Sequence, residues 1–219
     1  MISTGLNKLD ESLLGGIHDG IIVDIFGSNG TGKTQLLLQI CINSIKNGGN
    51  VLFLDTTGGF RPERILGMQS QQNSKLDILD KITVLRVTNT SEQINSLEIM
   101  NSKNFSLIAI DNVTDLFSYE YQNDDSIFEK NSIFMKFMHK LSLISINKKI
   151  PIILTNMIRN IEGKEIENMK YAIDPFTHVK IKLSKISKKF KCEIKWLAHH
   201  NDFSYIINTS GLTHNAEDI

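Results

Sequence analysis

Residues 27–34 read Gly27-Ser28-Asn29-Gly30-Thr31-Gly32-Lys33-Thr34, a complete G-x-x-x-x-G-K-T motif. An apolar run, Ile21–Phe26, precedes the motif, and a helical pattern follows it as far as Lys46. In this strand–loop–helix order, successive backbone N–H groups of the loop cradle phosphate oxygens. We expect Lys33 to reach the β- and γ-phosphates and the Thr34 hydroxyl to ligate Mg²⁺. The motif therefore predicts binding of a nucleoside triphosphate, and the alternative is a glycine turn that binds no nucleotide.

The fold class follows from short, nearly continuous apolar runs that alternate with helical patterns. Such runs are typical of parallel strands covered on both faces. Strict alternation after residue 178 predicts an antiparallel hairpin with one solvated face. We therefore expect a single α/β domain over residues 1–219, with a mainly parallel sheet flanked by helices and a C-terminal antiparallel hairpin. The expected strands are Ile21–Phe26, Val51–Leu54, Ile82–Val87, Ser106–Ile110, Pro151–Thr155, Val179–Leu183, Lys191–Trp196 and Phe203–Ile207. The expected helices are Lys33–Lys46, one after Pro62, one that starts with Thr90 and Gln93 as a capping box, and one over about Ser126–Asn147.

Composition excludes several classes of protein. The net charge is zero, so the molecule as a whole has no field that would attract a polyanion. Cys41 and Cys192 lie far apart and form no C-x-x-C pair, which is typical of reduced core thiols rather than of a zinc site or a disulfide framework. No segment approaches 18 consecutive apolar residues, so we expect no membrane span and a cytoplasmic location.

A second nucleotide-site signal is the apolar strand Leu107–Ile110, which ends in Asp111. In proteins with this phosphate loop, an aspartate at the end of such a strand holds Mg²⁺. Further signals are Ser3-Thr4-Gly5-Leu6 near the start, Phe60-Arg61-Pro62-Glu63-Arg64 after the second strand, and Thr155-Asn156. Together these motifs resemble the ATPase core of the RecA/RadA-type recombinase family, and most closely its archaeal RadB-like recombinase paralogues.

The resemblance implies a RecA-like P-loop NTPase core that binds ATP and Mg²⁺. It implies that Arg64 packs on the adenine base, and the alternative is an exposed arginine in a salt bridge. It also implies a role in homologous recombination and DNA repair, with the main RadA-type recombinase as partner and weak contact with single-stranded DNA. We expect no N-terminal helical DNA-binding domain and no self-filamentation through a linker that precedes the core.

Two departures from the family pattern concern catalysis. Thr57 occupies the position of the glutamate that activates water, and a threonine hydroxyl has no useful basicity at neutral pH. Met157 occupies the position of the glutamine that senses the γ-phosphate, and its thioether donates no hydrogen bond. We therefore expect retained ATP binding with weak or absent hydrolysis. The alternatives are an active DNA-stimulated ATPase and strand-exchange protein, and a KaiC-like regulatory ATPase that does not act on DNA.

The regions that contact single-stranded DNA in the family are also altered. Residues 119–130 carry Glu120, Asp124, Asp125 and Glu129, which would repel a phosphate backbone. The second region, about residues 157–177, mixes acids and bases and is expected to be a loop.

A lysine-rich hairpin remains as a possible surface for DNA or a partner, or it only protects a sheet edge from aggregation. Its lysines are Lys180, Lys182, Lys185, Lys188, Lys189, Lys191 and Lys195, and Glu193 is the one acid among them. Asp24, inside an apolar strand, is expected to satisfy neighbouring backbone groups rather than to perform chemistry.

Overall fold

The computed structural model describes residues 1–70, 77–123, 126–161, 163–187, 189–196 and 199–214. In this part of the chain the helices are α1 (Asn7–Ser12), α2 (Lys33–Lys46), α3 (Pro62–Ser70), α4 (Thr90–Ser102), α5 (Asp115–Glu120), α6 (Ile127–Lys148) and α7 (Lys170–Ile173), with 3-10 turns at Leu79–Lys81 and Asp174–Phe176. The strands are β1 (Ile22–Gly27), β2 (Val51–Asp55), β3 (Ile82–Arg86), β4 (Leu107–Asp111), β5 (Ile152–Ile161), β6 (Lys164–Glu167), β7 (Val179–Ile186), β8 (Lys189–Trp196), β9 (His199–Asn208) and β10 (Gly211–His214). Among the described helices, none combines the length and the apolar character that a bilayer crossing requires.

The described strands form one sheet in the order β10-β9-β8-β7-β1-β5-β4-β2-β3, and β6 pairs with the far end of β5. The pairs β7–β1, β1–β5, β5–β4, β4–β2 and β2–β3 are parallel, whereas the pairs β7–β8, β8–β9, β9–β10 and β5–β6 are antiparallel. The predicted fold class is confirmed.

The sheet separates two hydrophobic cores. Helices α1, α2 and α3 pack on one face, where α2 buries Leu36, Leu37 and Ile40. Helices α4 to α7 pack on the other face, where α6 buries Phe134, Phe137 and Leu141. Because both faces are covered, the central strands β1, β2 and β4 are mostly apolar, which explains the nearly continuous runs in the sequence, and Asp24 of β1 is the charged exception inside a strand.

Several details differ from the sequence-based expectations, and helices α1 and α5 were not expected. Helix α4 has Asn89 as its N-cap, and Glu92 accepts the backbone N–H of Thr88, so Thr90 and Gln93 do not form the capping box. The region expected as a second DNA loop instead continues β5 and adds β6 and α7. A further strand, β10, follows β9. Finally, the hairpin β7–β8 lies inside the sheet, between β1 and β9, so its lysines do not protect a sheet edge.

Candidate nucleotide-binding site

The loop of residues 27–34 joins β1 to α2 at the carboxyl end of the parallel strands. Gly32 has a φ of +91° at the N-cap of α2, and Gly30 has a φ of +76° with open space around it. Both values favour glycine and let the backbone wrap closely around a ligand. The Thr31 carbonyl accepts a hydrogen bond of 2.6 Å from the Tyr205 hydroxyl, so a buried side chain of β9 fixes the position of the loop.

Lys33 is the cation of this loop. Its Nζ donates to the carbonyl oxygens of Gly27 and Ser28, at 2.8 and 2.9 Å. Burial lowers the pKa of Lys33, and the nearby carboxylates of Asp111 and Asp115 partly oppose that shift. These two hydrogen bonds hold the Lys33 ammonium group against the loop. A phosphate bound in the loop would accept hydrogen bonds from this group in place of the two carbonyl oxygens.

Thr34 and Asp111 lie together, although they belong to α2 and β4. The Thr34 hydroxyl donates to Oδ2 of Asp111 at 2.8 Å, and the Thr155 hydroxyl donates to Oδ1 of the same carboxylate. Burial raises the pKa of Asp111, against the opposing effect of the Thr155 and Thr34 hydrogen bonds. A hydroxyl and a buried carboxylate are the hard oxygen ligands that Mg²⁺ takes, with water and phosphate completing its coordination. The residues present therefore fit Mg²⁺.

A cavity of about 470 Å³ extends from this loop. Arg64 lies on its wall and donates a hydrogen bond to Oε1 of Gln35, while Nε2 of Gln35 donates to the Asn208 carbonyl at 2.8 Å. Arg64 thus forms a hydrogen bond to an amide rather than a salt bridge in this part of the structure. Leu38 and Ile207 line the same cavity and add an apolar surface suited to a base.

Thr57 and Met157 also line this cavity, so both replacements lie next to the nucleotide site. The Thr57 hydroxyl donates to Oδ1 of Asp55 at 3.3 Å. Asp55 itself accepts backbone N–H groups from Thr57, Gly58, Gly59 and Phe60, so its oxygens are occupied and do not replace the missing glutamate. Among the described residues that line the cavity, Asp111 is the one carboxylate.

The lysines of the β7–β8 hairpin do not form one stripe. Lys182 lies 3.7 Å from Glu165, and Lys191 lies 3.4 Å from Glu193 and 3.1 Å from Asp202. Lys185 stacks over the Phe190 ring at 5.3 Å. Lys189 and Lys195 are exposed, and Lys188 lies outside the described residues. Two of these lysines, Lys182 and Lys191, therefore already have acidic partners, from β6, β8 and β9.

Lys180 is not part of that exposed surface. Its Nζ lies 2.9 Å from Asp24, 2.6 Å from Glu167 and 2.7 Å from Asp174, and we call these four residues the buried ion cluster. Asp24 therefore pairs with a charge, which corrects the expectation that it satisfies backbone groups. Burial raises the pKa of Asp24 well above its usual range, Lys180 opposes this, and Glu167 adds to it. The sequence signal for this cluster was a charged residue in an otherwise apolar strand.

The acidic region between α5 and α6 is partly structural. The Glu120 carboxylate accepts the backbone N–H of Thr90 at 2.8 Å and also bonds the Thr90 hydroxyl at the start of α4. Asp124 and Asp125 lie outside the described residues.

Comparison with known proteins gives consistent results. Residues 1–178 match the Rad51 family. The chain is 32% identical over 169 residues to the DNA repair and recombination protein RadA of Cenarchaeum symbiosum (strain A), a match that covers 72% of this chain and 42% of that protein. It is 34% identical over 162 residues to the DNA repair and recombination protein RadB of Thermococcus onnurineus (strain NA1), a match that covers 72% of this chain and 69% of that protein. The match therefore spans less than half of the RadA protein and about two thirds of the RadB protein.

Proposed function

The chain belongs to the Rad51 family, and on this premise we propose that it is an ATP-binding recombinase paralogue with weak or absent ATP hydrolysis. It would assist homologous recombination and DNA repair in the cytoplasm. Both relatives named above are DNA repair and recombination proteins, and the RadB-like character of the chain supports an accessory role.

One observation carries the proposal: the groups that would bind a nucleotide line one cavity, and its described lining residues include neither the glutamate nor the glutamine expected for hydrolysis. Nζ of Lys33 donates a hydrogen bond to the loop carbonyl of Gly27, and the Thr34 hydroxyl donates one to Asp111. Thr57 and Met157 line the same cavity in place of the expected glutamate and glutamine. A general base typically contributes a factor of about 10² to 10⁴ in rate, so its loss reduces turnover without weakening binding.

Bound nucleotide would act as a structural ligand. Mg²⁺ would neutralise phosphate charge between Thr34 and Asp111. Lys33 would bind the phosphates, and Arg64 would lie against the base while its partner Gln35 bonds the Asn208 carbonyl of β9. Because a ligand stabilises the conformation to which it binds, ATP would favour one arrangement of α2, α3 and β9 over others.

The partner we propose is the main RadA-type recombinase of the cell, with single-stranded DNA contacted only weakly. Weak DNA contact fits a hairpin on which Lys182 and Lys191 already pair with acids, because those pairs reduce the positive charge open to phosphates.

Steady-state ATP hydrolysis by the purified chain, with and without single-stranded DNA, tests this function. Calorimetric titration with Mg²⁺–ATP in the same preparation measures binding, and Lys33→Ala is the control. We expect wild-type binding, loss of binding in Lys33→Ala, and the same background turnover in both. Turnover that rises with DNA would contradict the proposal and favour an active strand-exchange protein. Failure to bind DNA and to capture the recombinase would favour a KaiC-like regulatory ATPase.

A further inference from the structure

A groove of about 370 Å³ opens between the first turns of α6, the β5–β6 hairpin and α7. Arg159 and Ile166, which oppose each other across the hairpin, line its floor. Ile127 and Met135 of α6 line one wall, and Tyr171 of α7 lines the other. The groove shares none of its described lining residues with the nucleotide cavity, so it is a separate feature of the surface.

The rim of this groove exposes large apolar side chains. Tyr171 is 90% exposed, and Met135 is 39% exposed. Ile127 and Ile166 are exposed as well. Several exposed apolar side chains that line one concave surface are typical of a site where another protein packs.

The same groove holds two neighbouring cations. In the part of the chain that the structure describes, Lys130 and Arg159 form no ion pair, and Nζ of Lys130 donates only to the Tyr121 carbonyl, at 3.3 Å. Burial lowers the pKa of Lys130, and the positive charge of Arg159 lowers it further. Lys170 also lines the groove, but it forms an ion pair with Asp174. The two unpaired cations repel each other, and a bound carboxylate would relieve that repulsion.

We propose that this groove binds an acidic peptide segment of a partner protein. An aromatic or aliphatic side chain of the peptide packs against Tyr171 and Met135, and its carboxylates pair with Lys130 and Arg159. The inference takes one element from the proposed function, namely that the chain acts through a partner protein. It does not require bound nucleotide.

Charge favours a peptide over nucleic acid here. A phosphate backbone needs a track of several cations, because each phosphate contact adds only a small part of the affinity. Among the described residues that line the groove, Lys130 and Arg159 are the two cations without an ion pair, and the one lining carboxylate, Glu167, is paired with Lys180. An acidic peptide needs only one or two such pairs, since apolar anchors supply the rest of its affinity.

Fluorescence anisotropy with the full chain tests the inference. The probe is a fluorescein-labelled synthetic peptide of aspartate and glutamate that carries one Phe-Leu pair. The comparison probes are the same peptide with asparagine and glutamine in place of its acids, and labelled oligothymidine. We expect the acidic peptide to bind, and Tyr171→Ala and Arg159→Glu each to weaken it by at least about tenfold. Lys136→Glu, an exposed change on α6 outside the groove, should leave affinity unchanged.

Three results would overturn the inference: equal binding of the amide peptide, unchanged affinity in Arg159→Glu, or oligothymidine binding that depends on the same residues. Calorimetry with Mg²⁺–ATP on the same samples separates the two proposals. A wild-type chain that binds ATP and not the peptide overturns the groove inference alone. A chain that binds the peptide and not ATP overturns the proposed function alone.

Discussion

Nζ of Lys180 lies 2.9 Å from Oδ2 of Asp24, and the aspartate is completely buried. Asp24 belongs to β1, the strand that leads into the phosphate-binding loop, and Lys180 occupies the paired position on β7. Glu167 and Asp174 contact the same ammonium group. The buried ion cluster therefore ties the end of β6 and the turn after α7 to the strand that carries the nucleotide site.

Lys180→Met should be strongly destabilising. The change leaves three carboxyl groups without their shared cation, and breaking a buried pair from one side costs about 3–5 kcal/mol of unfolding free energy. Urea unfolding followed by circular dichroism measures this. The matched control is Lys182→Met on the same strand, whose partly exposed pair with Glu165 is worth under about 1 kcal/mol. Equal losses in the two variants would refute a special role for Lys180.

Asp24→Asn should change how stability depends on pH. Because burial raises the pKa of Asp24 in the folded state, the folded chain binds a proton more tightly than the unfolded chain does. The stability of the wild type therefore falls as pH rises from the unfolded pKa towards the higher folded pKa. Asparagine cannot lose this proton, so the variant lacks that fall. From about pH 4 upwards, the unfolding free energy of the variant minus that of the wild type should therefore increase with pH. Parallel curves would show that Asp24 is ionised throughout.

Thr57→Glu should raise ATP turnover. A carboxylate at this position of the cavity wall would act as the general base, so we expect the rate of ATP hydrolysis to rise by at least about tenfold. Adding Met157→Gln to the same chain should raise the rate further. Thr57→Gln has a similar size and no basicity, so it serves as the control. Steady-state phosphate release is the measurement. A glutamine variant as active as the glutamate variant would mean that space rather than basicity limits turnover.

Arg64→Ala should weaken ATP binding by about two- to fivefold, the effect of removing one cation–π contact at an exposed side chain. Arg64→Lys should not restore it, because an ammonium group lacks the planar surface that stacks on a base. Calorimetry with ATP measures the loss, and inorganic tripolyphosphate, which has no base, should bind the variant and the wild type equally. A parallel loss of tripolyphosphate affinity would place Arg64 at the phosphates.

Much of the fold was readable from local patterns. The helix at Lys33–Lys46 has the predicted bounds, and the parallel strands β1 to β4 begin and end within one residue of the predicted ones. The extension of β5 into a hairpin with β6 was missed, because residues 157–167 mix charged and apolar side chains without strict alternation. Strand β10 was missed because it is only four residues long.

The sequence named the residues Lys33, Thr34, Arg64 and Asp111 that the structure brings to one cavity, whereas it did not indicate the partners of the lysine-rich hairpin. A phosphate-binding loop acts through consecutive backbone groups, so its sequence specifies its chemistry. A lysine's role depends on which acids lie within a few ångströms, and Glu165 and Asp202 come from other strands. No spacing within the hairpin encodes those partners.

By itself the sequence determined the fold class, and it predicted a phosphate-binding loop and a threonine in place of a catalytic glutamate at Thr57, because periodicity and motif chemistry are local properties of the chain. Tertiary structure alone decided that Lys180 lies against Asp24 inside the protein, that Lys182 and Lys191 pair with acids, and that α6, β6 and α7 enclose a groove. These features depend on strand order and register, which bring distant residues together, and Coulomb interactions are decided by those distances.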